Sequence, residues 1–160
     1  MESSEQVVAT AERYERGLAL KNAGLYKSAI EQFEQATSDP ELALKAYAHI
    51  GLCFKLTGRY ENAVAAFRKA LTASTGSSKE TVQILYVLGR TLESLGRIAE
   101  TLEAYRWIRR EDPGYRDVAD RIAQLSSRRS ASTSQMSPPA DTYWISDVLR
   151  FWQDRLRTSK

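Results

Sequence analysis

The sequence predicts an all-α fold. It is a stack of three antiparallel helix pairs with a closing helix, then a linker and an amphipathic C-terminal helix. Three observations carry this. Two sets of glycines, Gly17/Gly51/Gly89 and Gly24/Gly58/Gly96, each recur at spacings of 34 and then 38 residues. Helix-period small and aromatic residues accompany every copy. No strand-like alternation or Asn-Gly hairpin signal competes with that period.

The second copy shows the unit most clearly. Tyr47, Ile50, Gly51 and Phe54 fall on one face of a first helix. Gly58 supplies a turn position at no steric cost. Tyr60, Ala63, Val64, Phe67, Ala70 and Leu71 then share one face of a second helix. Gly51 and Ala63 allow close approach, and Phe67 fills the space they leave. The turn segments repeat as Gly24-Leu25-Tyr26-Lys27-Ser28-Ala29-Ile30, Gly58-Arg59-Tyr60-Glu61-Asn62-Ala63-Val64 and Gly96-Arg97-Ile98-Ala99-Glu100-Thr101-Leu102. Glu61 and Glu100 fall at helix starts, where the helix dipole favours acids. The four-residue excess between copies two and three lies in the loop-type cluster Thr72–Ser78. After Asp112-Pro113-Gly114, the residues Tyr115, Val118, Ala119, Ile122 and Leu125 predict one more helix.

These residues resemble the tetratricopeptide repeat family, whose pattern runs W-x2-L-G-x2-Y, A-x3-F, P. The second copy matches with Tyr47, Ile50, Gly51, Phe54, Ala63 and Phe67, and lacks the proline. The third matches with Leu85, Leu88, Gly89, Leu92, Thr101, Tyr105 and Pro113. The first has Gly17, Leu20, Ala29, Phe33 and Pro40, with Arg13 and Arg16 where apolar residues are usual. A terminal repeat with a polar outer face accounts for that departure. The resemblance covers about residues 8–113 and implies a right-handed superhelix, with residues 1–125 forming the repeats and their closing helix.

The resemblance also implies an inner groove lined by the first helix of each pair. Its expected partner-binding residues are Tyr14, Leu18 and Lys21 in the first copy. The second contributes Lys45, His49, Leu52 and Lys55. The third contributes Gln83, Tyr86 and Arg90. Such a surface suits a protein or peptide partner with acidic and apolar groups. Chaperone-binding members of the family clamp a terminal carboxylate with Lys, Asn and Arg. Here Tyr14, Leu18, Gln83 and Val87 occupy clamp positions, so chaperone tails are not expected ligands.

Composition excludes other classes. The 42% hydrophobic and 27% charged content is ordinary for a globular chain. No apolar run approaches a membrane span. The acidic, polar N-terminus lacks the layout of a secretory signal, and Cys53 alone makes no internal disulfide. These features point to the cytoplasm. The net charge is +3, and the excess lies in residues 126–160, so no basic stripe for nucleic acid is expected on the folded body. No phosphate-binding glycine motif occurs. His49 and Cys53 sit four apart on one helix face but lack a third ligand or an orienting acid. They are read as a groove-facing imidazole beside a half-buried thiol. Neither catalytic residues, nor a metal, nor a cofactor is expected.

Residues 126–140 read as a disordered linker. Residues 141–160 read as an amphipathic helix with Asp141 as its cap. Trp144, Ile145, Val148, Leu149, Phe151, Trp152 and Leu156 form its docking face. That stripe needs a surface. Three are open to it: the repeats of the same chain, with their groove included; a second copy or another protein; or a membrane, with Arg150, Arg155 and Arg157 at the lipid heads. The function expected from these readings is a non-enzymatic adaptor. A small secretion-system chaperone and a membrane-peripheral assembly factor are the alternatives.

Overall fold

The computed structural model describes residues 2–73, 76–131 and 144–158. In the last stretch it describes the side chains of residues 144–150, 153 and 154. Asp141 and Tyr143, as well as the side chains of Phe151, Trp152 and Leu156, lie outside this set. The described residues form eight helices and no strand. These are α1 (Glu2–Asn22), α2 (Tyr26–Ala36), α3 (Pro40–Leu56), α4 (Tyr60–Thr72), α5 (Ser78–Ser94), α6 (Ile98–Glu111), α7 (Val118–Ala131) and α8 (Trp144–Thr158). The chain divides into two compact units, Met1–Ser77 and Ser78–Lys160.

The first unit holds two helix pairs, α1–α2 and α3–α4, with α3 packed on α2. Each pair turns on a glycine with positive φ, +79° at Gly24 and +75° at Gly58. The turns close alike: Leu25 N–H donates to Leu20 C=O at 2.9 Å, and Arg59 N–H to Phe54 C=O at 2.8 Å. Asp39 caps α3, its side chain accepting from Glu41 N–H at 2.9 Å, and Pro40 follows at the first helical position. Small residues then set the helix spacing. A Cβ placed on Gly17 would lie 2.7 Å from the Phe33 ring, and one on Gly51 would lie 2.6 Å from the Phe67 ring. Phe33, Ala36, Ala46, Ile50 and Cys53 make the core between the pairs. Arg13, at an expected apolar position, instead donates to Gln35.

The second unit repeats the plan once and then departs from it. Gly89 meets Tyr105 as Gly51 meets Phe67, and Gly96 turns the pair with φ +72°. The closing helix begins at Val118 rather than Tyr115, because Arg116 adopts a positive φ of 44° and interrupts the helical backbone. Val118, Ile122 and Leu125 are buried. The helix also runs to Ala131, into the segment expected to be linker. No glycine or proline breaks it there, Ser127 and Ser130 bond back to the carbonyls of Gln124 and Ser126, and Arg128 and Arg129 suit its C-terminal end. Residues 132–140 of the expected linker lie outside the described set. The last helix, α8, packs on α6 of its own chain.

Candidate partner-binding surfaces

The ten expected groove residues divide between the units, seven in the first and three in the second. In the first unit α1 and α3 bring Tyr14, Lys21 and His49 together. Tyr14 meets Phe33 edge-on at 5.7 Å, and the His49 ring stacks on Phe33 at 5.1 Å with 14° between planes. Lys21 Nζ lies 3.2 Å from His49 Nδ1 and donates to it, which places the imidazole proton on Nε2. Burial, followed by the Lys21 charge, lowers the His49 pKa to about 4, so the ring is neutral near pH 7. Leu18 packs against the core, Leu52 and Lys55 are half-buried, and Lys45 is exposed. Cys53 lies fully buried beneath this face rather than half-buried, and burial raises its thiol pKa.

In the second unit the corresponding face is already tied to the closing helix. Arg121 donates to both oxygens of Glu93 at 3.1 and 3.0 Å, and its Nε to Asp117 at 2.7 Å. Tyr105 O–H donates to Glu93 at 3.0 Å and Tyr86 O–H to Asp117 at 2.9 Å. Desolvation opposes ionisation of Asp117, but the bonds from Tyr86 and Arg121 win and hold its carboxyl below its ordinary value. Arg90 sits 4.0 Å from Glu93, and Arg116 covers the Tyr86 ring at 4.8 Å. Gln83 is exposed. The two faces are built on one register: Lys21–His49 and Glu93–Arg121 each span 28 residues and join equivalent positions. Their chemistry differs. Lys21 faces a neutral ring, whereas Arg121 faces two carboxylates.

A third surface was not foreseen as a site. Glu100 is buried rather than simply placed at a helix start. It receives two bonds from Arg97, at 2.8 and 2.7 Å, and the indole N–H of Trp144 at 2.8 Å. Glu103 accepts the Ser146 backbone N–H at 2.9 Å and also the Ser146 hydroxyl. Burial raises the Glu103 pKa, partly offset by the Ser146 bonds. Of the expected docking face, Trp144, Ile145 and Leu149 are buried and Val148 is half-buried. The three uses proposed for the tail therefore start from a helix docked in cis on α6.

Residues 14–78 match the family model described as tetratricopeptide repeat. The fold of the chain is that of a tetratricopeptide repeat domain. No curated protein matches it. Among solved structures, the Arabidopsis OM64 tetratricopeptide domain is similar at 18% identity, with 77% of this chain and 98% of that one covered and a TM-score of 0.64. The second such domain of human RPAP3, in complex with an HSP70 peptide, aligns at 16% identity over 77% and 97% of the two chains, with a TM-score of 0.61. MamA protein aligns at 16% identity over 86% and 82%, with a TM-score of 0.59. At these identities the likeness is one of fold. All three copies share one geometry, a helical glycine set against an aromatic ring. Among the described residues no helix is long and apolar enough to cross a membrane.

Proposed function

We propose that this tetratricopeptide repeat chain is a non-enzymatic cytoplasmic adaptor that holds a partner's extended or helical segment carrying acidic and apolar groups. The face formed by α1 and α3 is its main contact surface. One observation carries this reading: equivalent pairs of positions join Lys21 to His49 and Glu93 to Arg121, but Arg121 is answered by the carboxylates of Glu93 and Asp117, while Lys21 rests on an uncharged imidazole. The first unit thus offers cationic groups, Lys21 with Lys45 and Lys55, beside an aromatic floor of Tyr14, Phe33 and His49. An anionic side chain placed there pairs with lysine, and neighbouring apolar groups cover the rings. The peptide complex of the RPAP3 domain supports a peptide-holding use of the fold. Its HSP70 peptide is not the ligand proposed for this chain, since Tyr14, Leu18, Gln83 and Val87 stand at the carboxylate-clamp positions.

The test begins with affinity capture and mass spectrometry to find a bound protein. Its shortest binding segment is then titrated calorimetrically against the full chain. The expected segment is acidic and apolar, with an affinity on the order of micromolar. Lys45→Glu with Lys55→Glu weakens it tenfold or more, about 1.4 kcal/mol. Unchanged affinity in that double variant would overturn the assignment. Arg90 is a poorer choice for reversal, because it also neighbours Glu93 in the closing-helix network.

A further inference from the structure

The ring of His49 is held from three sides. One face stacks on Phe33 at 5.1 Å with 14° between planes, and Tyr14 tilts against it at 5.8 Å. Phe33 is itself fixed, since it is fully buried and a Cβ on Gly17 would lie 2.7 Å from its ring. Lys21 takes the third side, its Nζ donating to Nδ1 at 3.2 Å. With Nδ1 as acceptor, the ring proton is on Nε2. Nε2 has no hydrogen-bond partner among the described residues, and the buried side-chain atom left unpaired among them is Gln32 Oε1. The Nε2–H therefore reaches solvent as an open donor, on a ring whose orientation is set by its packing.

This donor chooses its acceptor. A carboxylate on Nε2–H favours the imidazolium, which needs a second proton on Nδ1. Lys21 blocks that position, because its ammonium would then face another N–H. The ring stays a neutral donor suited to a neutral acceptor, and the lysine beside it takes the charge. The two ring nitrogens point away from each other, so one carboxylate does not serve both Lys21 and Nε2–H. Building on the α1–α3 face as the contact surface, we propose that His49 is a specificity-determining residue for an extended partner segment. Its Nε2–H takes a main-chain carbonyl of that segment while Lys21 takes an acidic side chain. An extended segment keeps its carbonyls free, whereas a helix uses all but its last four internally. The face thus selects an extended acidic segment over an amphipathic acidic helix.

The test uses the full chain and two kinds of capped synthetic probe. One kind is a set of peptides of about six residues holding Asp, Leu and Pro, the proline keeping them extended. The other is an alanine-rich helix of about 15 residues carrying the same Asp and Leu. His49 is the chain's one histidine, so nitrogen NMR reads its imidazole without ambiguity. Binding of an extended probe is expected to move the Nε2 resonance while Nδ1 stays of the acceptor type. An ester replacing each probe amide in turn weakens that carbonyl as an acceptor. At one position it is expected to cost about fivefold in wild type and nothing in His49→Phe, which keeps a ring on Phe33. The helical probe is expected to bind more weakly than the best extended one by about the same factor. Should His49→Phe fail to fold by circular dichroism, the Nε2 shift and the ester series in wild type decide alone. Extended probes that bind and are weakened by Lys21→Glu, yet leave Nε2 unmoved or tolerate every ester, overturn the role of His49 and leave the acidic partner standing. So does a helical probe that binds as tightly. If no probe binds up to about 10 mM, the α1–α3 face is not the contact surface and both proposals fall.

Discussion

Replacing Gly51 by alanine tests the packing argument most directly, because two effects of opposite sign meet there. Alanine is the better helix former by about 1 kcal/mol. Its Cβ, however, would lie 2.6, 2.7 and 2.8 Å from three carbons of the Phe67 ring. Phe67 is 1% exposed, so the ring has no solvent to move into and the two helices must part by several tenths of an ångström. Overpacking of this kind costs about 1–3 kcal/mol, and at the middle of that range the net loss is about 1 kcal/mol after the propensity gain. For a chain of this size that lowers Tm by roughly 2–4 °C. Gly58→Ala is the control. Nothing lies within 4 Å of a Cβ there, but φ is +75°, so the cost of about 1 kcal/mol comes from the backbone alone. The two are separated in a Phe67→Leu background, followed by urea unfolding. There Gly51→Ala becomes neutral or stabilising, while Gly58→Ala costs what it did before. If Gly51→Ala is harmless in the native background, or equally costly in both, ring contact is not what requires glycine.

Four further outcomes follow from the sites. The His49 pKa of about 4 lies below its unfolded value, so the folded form resists protonation: its stability is full above about pH 6.5 and is lost as pH falls toward 4, by ~1–2 kcal/mol after discounting for partial exposure. His49→Gln should flatten that part of the urea-unfolding profile relative to wild type. Trp144→Phe removes a donor to the buried Glu100 and should destabilise the second unit by about 1–3 kcal/mol in thermal unfolding. Arg121→Met leaves Glu93 and Asp117 without their common cation, and hydrogen exchange should accelerate across α5–α7 but not α1–α4. Tyr105→Phe keeps the ring against Gly89 and loses one bond to Glu93, costing about 1 kcal/mol by the same unfolding assay.

What was legible in the sequence is what the chain repeats. Gly17 and Phe33, Gly51 and Phe67, and Gly89 and Tyr105 are each 16 residues apart, because one helix, one turn and half of the next fix that separation. Three occurrences of one contact make a pattern visible without coordinates. Contacts made once leave no such mark. Glu100 and Trp144 are 44 residues apart, and nothing local distinguishes this glutamate from Glu61, which also stands in the first turn of its helix. The signal available was a difference between copies: acid at 100 and tryptophan at 107, where the second copy has Asn62 and Lys69. The Glu93–Arg121 pair lies between these cases. It reuses the register of Lys21–His49, so its position was legible as an inner face, but its charges were changed. Under the proposed function, that change separates recognition from closure. In that proposal, the repeat that meets a partner keeps Lys21 answered only by a neutral ring. A repeat that must end the stack answers its cations fully, as Glu93 and Asp117 do for Arg121. Periodicity therefore locates the helices and their inner faces, and departures from it, copy against copy, locate what each face is for.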